Sequence, residues 1–116
     1  MQHNDFGVSF STISFMMRVL GSRNSFISYE RTDDIVFHVT FDDSNEDFTF
    51  ILEGGYITSA ARVRELHMAF PEVPYIVLGG SWWKATSEAY DEADDLGIKI
   101  LLFKEFLTAL RRKKMP

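Results

Sequence analysis

Three acid–base side chains, Asp34, His38 and Glu53, lie in or beside two runs of alternating residues. Ile35, Phe37, Val39 and Phe41 alternate with Val36, His38 and Thr40, and Phe48, Phe50 and Leu52 alternate with Thr49, Ile51 and Glu53. Period two is the mark of a strand with one buried face. Two such runs around the polar stretch Asp42-Asp43-Ser44-Asn45-Glu46-Asp47 read as a β-hairpin. With those six residues as the loop, Phe41 pairs with Phe48, His38 faces Ile51, Val36 faces Glu53 and Asp34 faces Gly55. Parity then sets Asp34, His38 and Glu53 on one sheet face, with Asp34 diagonal to Glu53. Two carboxylates converging at the end of a hairpin suit a hard divalent cation such as Mg²⁺. A plainer reading is also open: Asp33 and Asp34 open a strand from a turn, and Glu53 is a solvated strand end.

Two glycine pairs form the next candidate set, Glu53-Gly54-Gly55-Tyr56 and Leu78-Gly79-Gly80-Ser81-Trp82-Trp83-Lys84. Each leaves a strand and enters a helix. If both strands run parallel, Gly54, Gly55, Gly79, Gly80 and Ser81 lie at one sheet edge, where open α/β sheets bind ligands. Backbone N–H groups there favour an anion, Lys84 adds charge, and an exposed Trp stacks on a ring. Neither loop has the spacing of a dinucleotide or phosphate-binding motif. The alternative is that the glycines only make tight turns. Trp82 is expected to anchor its helix in the core, which leaves Trp83 as the surface-contact residue. The three His are dispersed and there is no Cys, so no zinc pattern, cysteine nucleophile or disulfide arises.

The elements that carry these residues are legible from periodicity. Phe10, Ile13, Met17 and Leu20 recur at helical spacing before Gly21, predicting a first helix over Ser9–Leu20. Ser25–Tyr29 reads as a short strand. After the hairpin, Thr58 or Ser59 caps a helix with Val63, Leu66 and Phe70 on its stripe, ended by Pro71. Tyr75-Ile76-Val77-Leu78 is a continuous apolar run, as in a strand covered on both faces. A third helix is expected to follow Ser81 with Trp82, Ala85, Ala89, Ala93 and Leu96 inward, closed by Gly97. Ile98–Phe103 is a further strand, and Phe106, Leu107 and Leu110 mark a last helix. The order α-(β)-β-β-α-β-α-β-α predicts an α/β domain, a three-layer sandwich around a mixed sheet.

At 116 residues, with 46% hydrophobic and 15% aromatic content including eleven Phe, the chain fits one Phe-rich core and a single domain. Residues 1–8 and 112–116 are expected to be flexible ends. Net charge is −5, which argues against a coat for duplex DNA. Eight acids and one base lie between Tyr29 and Glu53, whereas Arg111-Arg112-Lys113-Lys114 form a basic end. Met1–Asp5 has no basic run, and Ser9, Ser11, Thr12 and Ser14 interrupt the apolar stretch Phe6–Leu20. Neither a signal peptide nor a membrane span is expected, and the lack of Cys tilts the location towards the cytoplasm.

The element order, with Asp34 opening one strand and Glu53 ending the next, resembles the restriction-endonuclease-like, or PD-(D/E)XK, superfamily over roughly Ser9 to Leu110. The resemblance implies that Asp34 and Glu53 would bind a metal ion. The lysine of the family's E-x-K would activate water, but its position falls on Gly55. Arg62 or Arg64 would then have to supply a displaced cation. The implied function is a domain with a degenerate active site that binds nucleic acid or protein and needs no cofactor, Mg²⁺ entering only if it cleaves. Two alternatives use other features: a small-ligand or nucleotide module on the glycine loops, and a self-associating interaction module.

Overall fold

The computed structural model describes residues 6–22, 27–42 and 46–114. The chain runs α1 (Phe10–Ser22), β1 (Ile27–Thr32), β2 (Val36–Phe41), β3 (Glu46–Glu53), β4 (Ile57–Thr58), α2 (Ala60–Ala69), β5 (Tyr75–Leu78), β6 (Lys84–Ala85), α3 (Ser87–Leu96), β7 (Lys99–Leu101) and α4 (Phe103–Arg112). Five strands form one mixed sheet in the order β1-β2-β3-β5-β7. The pairs β1–β2 and β2–β3 are antiparallel, and β3–β5 and β5–β7 are parallel. A second, two-stranded parallel ladder joins β4 to β6.

The hairpin register differs from the expected one by two residues. Phe41 pairs with Glu46 and Val39 with Phe48, so β3 begins inside the polar stretch and the loop is shorter. A slip of two keeps every side chain on its face. Phe37 now pairs with Phe50, with ring centroids 5.4 Å apart, His38 faces Thr49 and Val36 faces Ile51. Between β1 and β2 the chain turns at Asp33 and Asp34, both in the left-handed region (φ 46° and 64°), which Asp tolerates better than most residues. The first strand, expected over Ser25–Tyr29, is described as Ile27–Thr32, and Ser25 and Phe26 lie outside the described residues.

One sheet face is covered by α4 and α1. Phe106 of α4 packs on Phe50 at 4.9 Å and on Phe48 at 6.4 Å, and Phe103 meets Phe15 of α1 at 5.5 Å. The stripe of α1 is Ile13, Met16 and Leu20, with Phe10 left exposed. On the other face Ile51, Ile76, Leu78 and Ile100 are buried beneath α2 and α3, which pack together through Val63, Leu66, Ala89 and Ala93. The result is the expected three-layer α/β arrangement. Phe6 and Val8, inside the stretch expected as a flexible end, are packed: Phe6 against Phe70 at 5.1 Å, and Val8 wholly within the core.

The third helix begins at Ser87, six residues beyond Ser81, where it was expected to start. Thr86 is its N-cap, accepting a hydrogen bond from the Ala89 N–H at 3.0 Å, and Gly97 closes it in the left-handed conformation. Residues 81–85 are instead a turn and strand β6, so the helical spacing that pointed Trp82 inward does not apply. Trp82 is 84% exposed, and Trp83 is the indole packed against the core, which reverses the expected roles. No helix among the described residues is long and apolar enough to cross a membrane.

Candidate functional site

Because β3 and β5 are parallel, their carboxyl ends bring the two glycine loops side by side, and the Gly79 N–H donates to the Glu53 carbonyl at 3.1 Å. The β4–β6 ladder continues this contact, with the Lys84 N–H on the Tyr56 carbonyl and the Thr86 N–H on the Thr58 carbonyl. The start of α1 closes over the same edge.

The glycines are explained by what presses on them. A Cβ on Gly79 would lie 2.8 Å from Thr12 Cγ2 and 3.2 Å from the Glu53 carbonyl oxygen. One on Gly54 would lie 3.0 Å from Val8 Cγ1, and one on Gly80 2.5–2.8 Å from the Trp83 ring. The space over these glycines is therefore filled by Val8, Thr12 and Trp83 of the same chain. Gly79→Ala, enclosed by backbone and core, is expected to cost about 1–3 kcal/mol by overpacking, measured by urea denaturation. Gly21→Ala, which meets nothing within 4 Å, serves as the comparison and is expected to be neutral or better.

Glu53 ends β3 on the face covered by α2, where its side chain is 3% exposed. Arg62, in the first turn of α2, reaches back to it. Arg62 Nε donates to Oε2 at 2.9 Å and to Oε1 at 3.1 Å, and Nη2 donates to Oε1 at 3.0 Å. The Gly54 N–H adds a bond to Oε1 at 2.8 Å, and the Thr58 hydroxyl lies 3.5 Å from Oε2. Arg62 also donates to Glu65 Oε1 at 2.6 Å and to the Phe6 carbonyl, tying the N-terminal segment to the same point. Burial disfavours the guanidinium charge, but the bonds and charges of Glu53 and Glu65 outweigh it and hold the Arg62 pKa above its usual value.

Asp34 is elsewhere in chemical terms. Its side chain is 64% exposed and its partner is Arg31, at 3.7 Å. It shares no partner with Glu53. At Gly55, the position the resemblance gives to a lysine, a Cβ would lie 3.3 Å from Glu53 Oε2, a tight contact. Both Glu53 oxygens are already filled by donors, so this donor set does not fit a divalent cation. Among the described residues no group of three or more His, Asp or Glu is arranged to hold a metal.

His38 stands apart from this edge. Its Nδ1 lies 2.7 Å from Thr49 Oγ1 and its Nε2 3.2 Å from Asp47 Oδ2. Both ring nitrogens thus have a partner on β3. This is a cross-strand polar contact that became visible only with the register. The basic end of α4 also has a neighbour in its own chain, since Lys114 lines one hollow with Glu46 and Asp47.

Large apolar residues are exposed at this edge, among polar ones such as Ser59, Ser81 and Lys84. Tyr56 is 64% exposed and Ile57 55%, Lys84 pairs across the ladder with Ile57, and Trp82 in the preceding turn is still more exposed. Tyr56 and Lys84 lie in the two loops expected at this edge, Trp82 is exposed where it was expected in the core, and Ile57 lies outside the expected set. The chain matches no family model, no curated protein and no solved structure.

Proposed function

We propose that the chain is a restriction-endonuclease-like domain that binds a protein partner and does not cleave nucleic acid. The observation that supports this is the closed Glu53–Arg62 pair. The acid that would hold the metal is buried, both its oxygens accept hydrogen bonds, and the position of the expected lysine is a glycine packed against it. The reading rests also on the element order and the mixed sheet. Arg62 in this reading is a structural partner of Glu53 and not a catalytic cation.

The binding surface in this reading is the carboxyl edge, carried by Tyr56, Ile57 and Trp82. Protein is favoured over nucleic acid because α3, which starts at this edge, carries Glu88, Asp91, Glu92, Asp94 and Asp95 and no base. The absence of Cys suits a cytoplasmic location. Incubation with DNA and RNA in Mg²⁺ or Mn²⁺ is expected to give no cleavage, with wild type and Glu53→Ala alike. Metal-dependent cleavage that Glu53→Ala abolishes would overturn the proposal.

A further inference from the structure

The described arginines divide by layer. Outside α1 and α4 each has an acidic partner: Arg31 has Asp34, Arg62 has Glu53 and Glu65, and Arg64 has Glu92. On the α1–α4 layer Arg18, Lys104, Arg111 and Arg112 are all exposed, and none forms an ion pair among the described residues. Glu105 is the one acid of these two helices. It accepts from the Leu102 N–H at 2.8 Å and is turned towards Tyr90 of α3, whose hydroxyl pKa is raised by partial burial and by the Glu105 charge.

Three of the cations flank one groove. Both helices start at the carboxyl edge, α1 over Gly79 and α4 directly after β7, so they run side by side, and Phe15 meets Phe103 between them. Helical spacing extends that contact along both helices. Arg18 follows Phe15 by one turn, with its guanidinium 6.0 Å from the ring centroid, and Lys104, Leu107 and Arg111 share one row of α4. Arg18 on one wall and Lys104 and Arg111 on the other thus stand over a floor of Phe15, Val19 and Leu107, all partly buried.

We infer that the α1–α4 groove docks an acidic amphipathic segment of a partner protein, its carboxylates on Arg18, Lys104 and Arg111 and its apolar side chains on the floor. This face is distinct from the carboxyl edge, and the inference stands without the non-cleaving reading. Charge complementarity sets the occupant, since an unpaired guanidinium offers a carboxylate a two-pronged hydrogen bond. The net charge of −5 does not oppose it. The acids of α3 lie on the other sheet face, and physiological salt limits the reach of a surface charge to about 8 Å. A single-stranded nucleic acid suits the groove less, because Arg18 occupies the face of Phe15 on which a base would stack. So does a bilayer, which takes up apolar groups that protrude, whereas this floor lies below its cations.

Fluorescence anisotropy of a labelled peptide, Glu-rich with Leu at helical spacing, tests this on the whole chain. The expected result is saturable binding that weakens as salt rises. Arg18→Glu and Arg111→Glu, at exposed sites, keep the wild-type melting temperature and each weaken binding about fivefold or more. Lys84→Glu makes the same charge change at the β4–β6 ladder and leaves binding as it was. The same peptide with Gln in place of Glu does not bind. A single-stranded oligonucleotide and vesicles of phosphatidylserine and phosphatidylcholine are the competing probes. No binding of the Glu peptide, binding indifferent to both Arg variants, or tighter binding of the oligonucleotide or the vesicles overturns the inference. Any of these would leave the non-cleaving reading intact, since that stands or falls on the metal-dependent assay.

Discussion

Arg62→Ala is expected to lower folding stability by about 3–5 kcal/mol, the usual cost of removing one partner from a buried ion pair. The loss is not the strength of the pair itself. It arises because Glu53, 3% exposed at the end of β3, is left with only the Gly54 N–H and the Thr58 hydroxyl as hydrogen-bond partners. The Phe6 carbonyl also loses its bond from Arg62, which loosens the segment over Gly54. In a domain of this size the melting temperature should fall by roughly 10–20 °C. Replacing both partners with apolar residues of similar volume, Glu53→Leu with Arg62→Met, should recover most of the loss, because no buried charge is left unpaired. Urea denaturation of the two variants and the wild type checks both parts.

Phe50→Ala should be as damaging, at about 3–5 kcal/mol, for a reason unrelated to charge. Phe50 is fully buried where β2, β3 and α4 meet, with ring contacts to Phe37, Phe48 and Phe106 at 5.4, 5.9 and 4.9 Å. Alanine leaves a cavity bounded by three other rings that are themselves held on strands and a helix, so little collapse can fill it. Phe10→Ala makes the informative contrast. Phe10 is half exposed on α1, and its loss is expected to change stability by less than about 0.5 kcal/mol. Equal losses at the two positions would contradict the assignment of the core.

The layered sheet was readable because its signals are robust to local error. Alternation from Ile35 to Glu53 assigns faces, and the two-residue slip in the Phe41–Phe48 pairing moved no side chain to the other face. The run Tyr75–Leu78 announced a doubly covered strand, and Gly97 stopped α3 as its left-handed conformation requires. The two tryptophans were not readable in the same way. Either indole has enough area to anchor a core, and the choice turned on where α3 starts. Both Ser81 and Thr86 are good caps, and the β4–β6 ladder that decides between them is a long-range pairing with no local pattern.

The site was half legible for a related reason. Strand parity placed Glu53 on a definite face, but not at a definite depth. Its burial depends on α2 returning over that face, and on Arg62 standing one residue before the inward Val63. Asp34 looked equivalent to Glu53 in spacing. Its left-handed backbone at the β1–β2 turn puts it in solvent beside Arg31, and local sequence does not report that difference.

The central claim is that Glu53 belongs to the fold and not to a metal site. Thermal unfolding of wild type and Glu53→Gln in saturating Mn²⁺ tests it most directly. A metal bound to the native state at a hundred times its dissociation constant would stabilise the domain by about 2.7 kcal/mol. The account predicts no Mn²⁺-dependent rise in melting temperature for either protein. A rise of several degrees in the wild type that is absent from Glu53→Gln would contradict it.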